Sequence, residues 1–90
     1  MTKPLRILLV EDNPGDADLI REMLPDDDES GFTVHCVTRL EDAVTHLRHK
    51  ETDLALLDLD LPDSQGIETV RAAHRAAPEL PIVVLTGHQV

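Results

Sequence analysis

Four short apolar runs, separated by stretches of helical periodicity, constrain this chain more than any other feature. Leu5 to Val10 holds one charge among apolar residues, Leu54 to Leu57 is apolar and ends at Asp58, and Ile82 to Leu85 is apolar and ends at Thr86-Gly87. Runs this short and continuous fit strands buried on both faces of a parallel sheet. From Phe32 to Cys36 apolar residues alternate with Thr33 and His35, the pattern of a half-buried strand at a sheet edge. Between the runs, Ala17, Ile20 and Leu24 fall at helical spacing after Asn13, a fitting N-cap, and Pro14, a fitting first helical residue. Leu40, Ala43, Val44 and Leu47 mark a second helix, entered through Thr38-Arg39-Leu40-Glu41, which matches a capping box. Ile67, Val70, Ala73 and Ala77 mark a third, stopped by Pro78. Residues 26–31 and 59–65 are predicted loops, with Pro62, Asp63 and Gly66 as turn residues.

The order βαβαβαβ implies a parallel sheet with right-handed crossovers. A flavodoxin-like α/β fold, three layers with strand order 2-1-3-4, puts the alternating strand at an edge and helices on both faces. In that order one face carries a single helix, so either Ile82 and Val84 or Val83 and Leu85 lack a cover. The pattern predicts a further helix and strand after Val90. Residues 1–90 are thus expected to be one domain, incomplete at its C-terminal end. An open edge on the fourth strand invites pairing with another chain, so a homo-oligomer through that edge is a further expectation.

Composition narrows the partners. Eight basic against eighteen acidic side chains give a net charge of −10, which repels nucleic acid and anionic membranes. With no Trp or Tyr and one Phe, stacking on bases or sugars has little to work with. No apolar run approaches the length of a membrane span or a signal peptide. Cys36 is the single cysteine, which excludes an internal disulfide and a cysteine zinc cage. A cytoplasmic chain is the simplest expectation. Cys36 is expected to be a buried structural thiol. His46 and His49, three apart on a helix, are expected to be a solvated pair, and His35 an outward residue of the edge strand.

Glu11 and Asp12 follow the first strand, Asp58 ends the third and Thr86 ends the fourth, so all four should meet beyond the carboxyl edge of the sheet. Three carboxylates in one place repel one another unless a cation lies between them, and an oxygen-only donor set favours Mg²⁺. A carboxylate beside Mg²⁺ can be a nucleophile toward phosphorus, and Thr86 can donate to a phosphoryl oxygen. Any one of these acids alone would be read as solvating a strand end; their joint placement argues otherwise.

The segments Leu8-Leu9-Val10-Glu11-Asp12-Asn13, Leu56-Leu57-Asp58-Leu59-Asp60-Leu61-Pro62-Asp63-Ser64-Gln65-Gly66 and Ile82-Val83-Val84-Leu85-Thr86-Gly87 together resemble a response regulator receiver domain of the CheY-like family. The resemblance runs over the whole chain, about the first three quarters of such a domain. It implies that Asp58 accepts a phosphoryl group from a partner histidine kinase or phosphotransfer protein. It implies that Asp12 ligates Mg²⁺ with help from Glu11, Asp58 and the main-chain carbonyl of Asp60. Thr86 would contact the phosphoryl group and report activation, and Asp60 and His88 would tune its lifetime. Such a domain is not an enzyme beyond self-phosphotransfer and autodephosphorylation. Receiver domains place a lysine at the end of a fifth strand, whereas the lysines here are Lys3 and Lys50, neither at a suitable strand end.

Two other readings stay open on the sequence alone. A receiver-like interaction module could do without phosphoryl chemistry, as the missing lysine would allow. Asp58-Leu59-Asp60 also matches the Asp-x-Asp signature of haloacid-dehalogenase-like phosphatases, although those carry it on their first strand.

Overall fold

The computed structural model describes residues 4–24 and 31–85. Its elements run in the order β1 (Leu5–Val10), α1 (Pro14–Met23), β2 (Phe32–Val37), α2 (Leu40–His49), β3 (Leu54–Asp58), β4 (Asp60–Leu61), β5 (Ser64–Gln65), α3 (Ile67–Ala76) and β6 (Ile82–Leu85). The main sheet is parallel with the order β2-β1-β3-β6, the expected 2-1-3-4. Leu5 pairs with Phe32, Ile7 with both Val34 and Leu54, and Asp58 with Leu85.

The strand pleat divides the core in two. Leu8, Val10 and Leu57 face α2 and α3, joining Ala43, Leu47, Leu61 and Ala73. Ile7, Leu9 and Leu56 face α1, joining Ala17 and Val34. Leu8 and Leu9 are fully buried on opposite faces of one strand, as a continuous apolar run in the middle of an α/β/α sandwich requires. Ile82 packs into the α2/α3 core and Leu85 into the α1 core. Val83 and Val84 are exposed. The shortfall in cover therefore falls on one residue of each face rather than on one whole pair, with Ile82 at the amino end of β6 and Leu85 at its carboxyl end packed on opposite faces.

Several local expectations change. Ile67 is 59% exposed, and Thr69 takes the buried position on α3. Thr69 can be buried because its hydroxyl shares a 2.7 Å hydrogen bond with that of Ser64. The segment expected as a loop after Asp58 contains an antiparallel hairpin, β4 with β5, in which Asp60 pairs with Gln65 and Leu61 with Ser64. Gly66, which enters α3, has φ 68°, the left-handed region that glycine occupies without strain. His46 is half-buried and stacks on His35, with ring centroids 4.5 Å apart and planes 12° from parallel, so it is not one of a solvated pair with His49. Cys36 is half-buried, and burial raises its pKa. The expected loop over residues 26–30 lies outside the described residues, as do Thr86 and His88.

The capping box at Thr38 does not form. Arg39 is the N-cap of α2 and makes no side-chain cap bond. The carboxylate of Asp63 does the capping instead: Leu40 N–H donates to Oδ1 at 2.8 Å and Glu41 N–H to Oδ2 at 2.9 Å. Desolvation pushes the Asp63 pKa up, but the amides of Glu41 and Leu40 outweigh it and the net shift is downward. Asp63→Ala should cost about 1 kcal/mol at neutral pH, the usual value of a lost cap. A depressed folded pKa contributes stability above the unfolded value and loses it as pH falls through the folded value. The difference between wild type and Asp63→Ala in urea denaturation should therefore close on acidification below pH about 4. A difference unchanged at low pH would show that the charge is not what stabilises α2.

Candidate functional site

β1 and β3 are neighbours and run the same way, so their carboxyl ends open on the same side of the sheet. Glu11 N–H donates to the carbonyl of Val37 at 3.0 Å, which carries the ladder one residue past β1 and holds Glu11 in the sheet layer. The Glu11 side chain is buried at 6% exposure and Asp58 at 7%, whereas Asp12 is exposed. One carboxylate oxygen from each of the three lies within 4.8 Å of the others. They open into a cleft of about 490 Å³ lined by Glu11, Asp12, Asn13, Pro14, Asp16, Asp58 and Asp60. None of these seven residues is basic.

Backbone amides fix the acids. Asn13 N–H donates to Glu11 Oε2 at 3.2 Å, and Asp60 N–H donates to Asp58 Oδ1 at 3.0 Å. Asn13 in turn starts α1: its Oδ1 accepts from Gly15 N–H at 2.9 Å and Asp16 N–H at 3.1 Å, as the sequence predicts. The Glu11 pKa is pushed up to about 7, first by burial and then by Asp58 beside it, against the opposing amide of Asn13. The protein therefore holds one of its acids reluctant to ionise. A divalent cation would relieve both the burial cost and the repulsion, and the all-oxygen donor set suits Mg²⁺. The residues present fit the ion.

Of the acids singled out in the sequence, Glu11, Asp12 and Asp58 come together and Asp60 lines the same cleft. The side chain of Asp60 is engaged elsewhere, accepting from Gln65 Nε2 at 3.2 Å. That engagement counts against an acid/base partner for Asp58 of the phosphatase kind. Lys50 follows α2 at the far end of the sheet, in a segment where Asp53 N–H donates to the carbonyl of Arg6 at 2.8 Å near the start of β1. It lines a separate cleft with Arg6, His35, His46 and His49, and it is remote from the acids. The amide partners of Glu11 and Asp58 escaped the sequence reading. The N-cap position of Asn13 was the one local signal that pointed to the first of them.

The family model for the response regulator receiver domain matches residues 7–90. The cell cycle transcriptional regulator CtrA of Caulobacter vibrioides is 37% identical over 83 residues, 92% of this chain and 35% of CtrA. The luminescence regulatory protein LuxO of Vibrio campbellii is 36% identical over 80 residues, 89% of this chain and 17% of LuxO. The chain thus spans about a third or less of these curated relatives. Among solved structures, the phosphorylated cyanobacterial phytochrome response regulator RcpA superposes with a TM-score of 0.82 at 31% identity, covering 97% of this chain and 68% of RcpA. The MaeR response regulator bound to beryllium trifluoride gives 0.80 at 26% identity, covering 96% and 70%.

Proposed function

From the premise that the chain belongs to the response regulator receiver domain family of two-component signalling, we propose that Asp58 is its phosphoacceptor. The observation that carries this is the meeting of Asp58 with Glu11 and Asp12 within 4.8 Å, beyond the carboxyl ends of adjacent parallel strands. The donor is a phosphohistidine on a sensor kinase or phosphotransfer protein. Its phosphorus–nitrogen bond breaks as a bond forms from phosphorus to a carboxylate oxygen of Asp58, and the imidazole leaves with the electron pair and gains a proton.

Each residue has a defined task. The Asp60 amide on Asp58 Oδ1 fixes the rotation of the nucleophilic carboxylate. Burial strips water from Asp58, which strengthens every charge interaction it makes. Glu11, Asp12 and Asp58, with the Asp60 carbonyl, would hold Mg²⁺, which when bound would neutralise charge developing on the phosphoryl oxygens. Thr86 and His88 follow Leu85, the partner of Asp58 in the sheet, and keep the roles of phosphoryl contact and modulator. Autodephosphorylation through the same site, a cytoplasmic location and self-association through the β6 edge belong to the same reading. No helix among the described residues is long and apolar enough to cross a membrane.

The test is the intact mass of the chain after incubation with a small acyl phosphate. A phosphoryl adduct that forms with Mg²⁺ and disappears with chelator is expected. A folded chain that gains no phosphoryl mass at saturating Mg²⁺ would favour the unphosphorylated interaction module.

A further inference from the structure

The hairpin that follows Asp58 is held at both ends. At its open end, Asp60 N–H donates to Asp58 Oδ1, Gln65 Nε2 donates to Asp60 Oδ1, and Gly66 N–H donates to the carbonyl of Leu59 at 2.8 Å. At its turn, Asp63 grips the first two amides of α2 with both carboxylate oxygens. Between these ends Leu61 is buried in the α2/α3 core, and Ser64 is bonded to Thr69 of α3. A hairpin of two-residue strands has little stability alone, so its shape depends on these attachments.

The attachment at Asp63 is of the strong kind. An ionised carboxylate accepting two amides at a helix N-terminus gains from charge-assisted hydrogen bonds and from the helix dipole. It reaches 22 and 23 residues back along the chain. Among the described residues it is the one side-chain cap of α2, since Arg39 makes none.

We propose that Asp63 is a positioning residue for phosphoryl transfer: by clamping the β4–β5 turn to the N-terminus of α2, it keeps the Asp60 amide on Asp58 and couples α2 to events at that carboxylate. The part concerning transfer rests on the phosphoacceptor reading; the part concerning the Asp60 amide does not. The link is short. Asp58 and Asp60 are two residues apart, and Asp60 and Asp63 are joined through one turn of the hairpin. A shift of the Asp60 amide would be felt at the turn because the intervening Leu61 is packed and cannot absorb it.

The experiment uses the full chain with Asp63→Ala, and Asp63→Asn as the conservative variant that keeps one acceptor oxygen. Amide hydrogen exchange by NMR is measured without ligand, with the amides of β1 as an internal measure of global stability. Asp63→Ala should speed exchange at Leu40, Glu41 and Asp60 about tenfold or more over the change seen in β1, with Asp63→Asn between the two. A second arm follows the rate of adduct formation from acyl phosphate, expected to fall about tenfold in Asp63→Ala and to recover in part in Asp63→Asn. If Asp60 exchanges no faster than β1 predicts, the clamp does not reach the site and the proposal is overturned. If Asp60 loosens while the adduct rate is unchanged, the positioning role in transfer is overturned. If wild type itself forms no adduct, the phosphoacceptor reading fails, and exchange at Asp60 still decides whether the clamp exists. Should Asp63→Ala prove unfolded, Asp63→Asn supplies both arms.

Discussion

Asp58→Asn should gain no phosphoryl mass under conditions in which the wild-type chain is converted, and it should do so without losing its fold. The amide is nearly the shape of the carboxylate, and its carbonyl oxygen can still accept from Asp60 N–H, so packing around β3 is preserved. It lacks the ionised oxygen needed to attack phosphorus. Stability should hold or rise, because the substitution removes one of three mutually repelling acids and relieves Glu11 of a neighbour that helps hold its pKa near 7. Intact mass spectrometry and a urea curve on the same sample check both statements together. Retention of a Mg²⁺-dependent adduct in Asp58→Asn would move the acceptor to another side chain. A collapse in stability would mean that the loss of adduct says nothing about chemistry.

Leu57→Ala carries the largest expected effect on stability. Leu57 is 1% exposed, precedes Asp58 in the same strand, and packs with Leu8, Val10 and Leu61 under α2 and α3. Truncating a buried leucine costs about 2–5 kcal/mol, because the lost transfer energy is joined by that of a cavity the sheet cannot close. A domain of this size has of order 5–10 kcal/mol to lose. The urea midpoint should fall by roughly 2 M, while Leu19→Ala on the exposed side of α1 should move stability by less than about 0.5 kcal/mol. Equal effects at the two positions would contradict the two-layer core described above.

What could be read from the sequence was what depends on neighbours along the chain. β1 and β3 stand out as apolar runs because burial on both faces leaves no room for alternation, and β6 is as apolar although Val83 and Val84 are exposed. Asn13 and Pro14 announce α1 because a cap acts on amides two or three residues away. Glu11, Asp12 and Asp58 could be placed together because parallel pairing puts the strand ends on one side. Two of the departures share one cause, a side-chain partner outside the helix concerned. The Thr38 capping box is displaced by a carboxylate from another loop. Ile67 fits the helical stripe, yet Thr69 is buried in its place because Ser64 satisfies the hydroxyl. The β4–β5 hairpin has no period to detect in strands two residues long.

The central place of β1 bears on how the molecule comes to be made. β1 is synthesised before the strands it pairs with, and neither of them is close behind: Leu5 waits for Phe32, and Ile7 for Val34 and Leu54. Until β2 has emerged β1 has no strand to pair with, and until β3 has emerged its second edge stays open and Glu11 and Asp12 have no Asp58 to face. Parallel pairing over such separations is slow, since loops must close before any contact compensates for the lost entropy. The arrangement that gives the finished site its buried floor thus leaves the nascent chain sticky during synthesis, when a chaperone or a second copy of the chain would compete for β1.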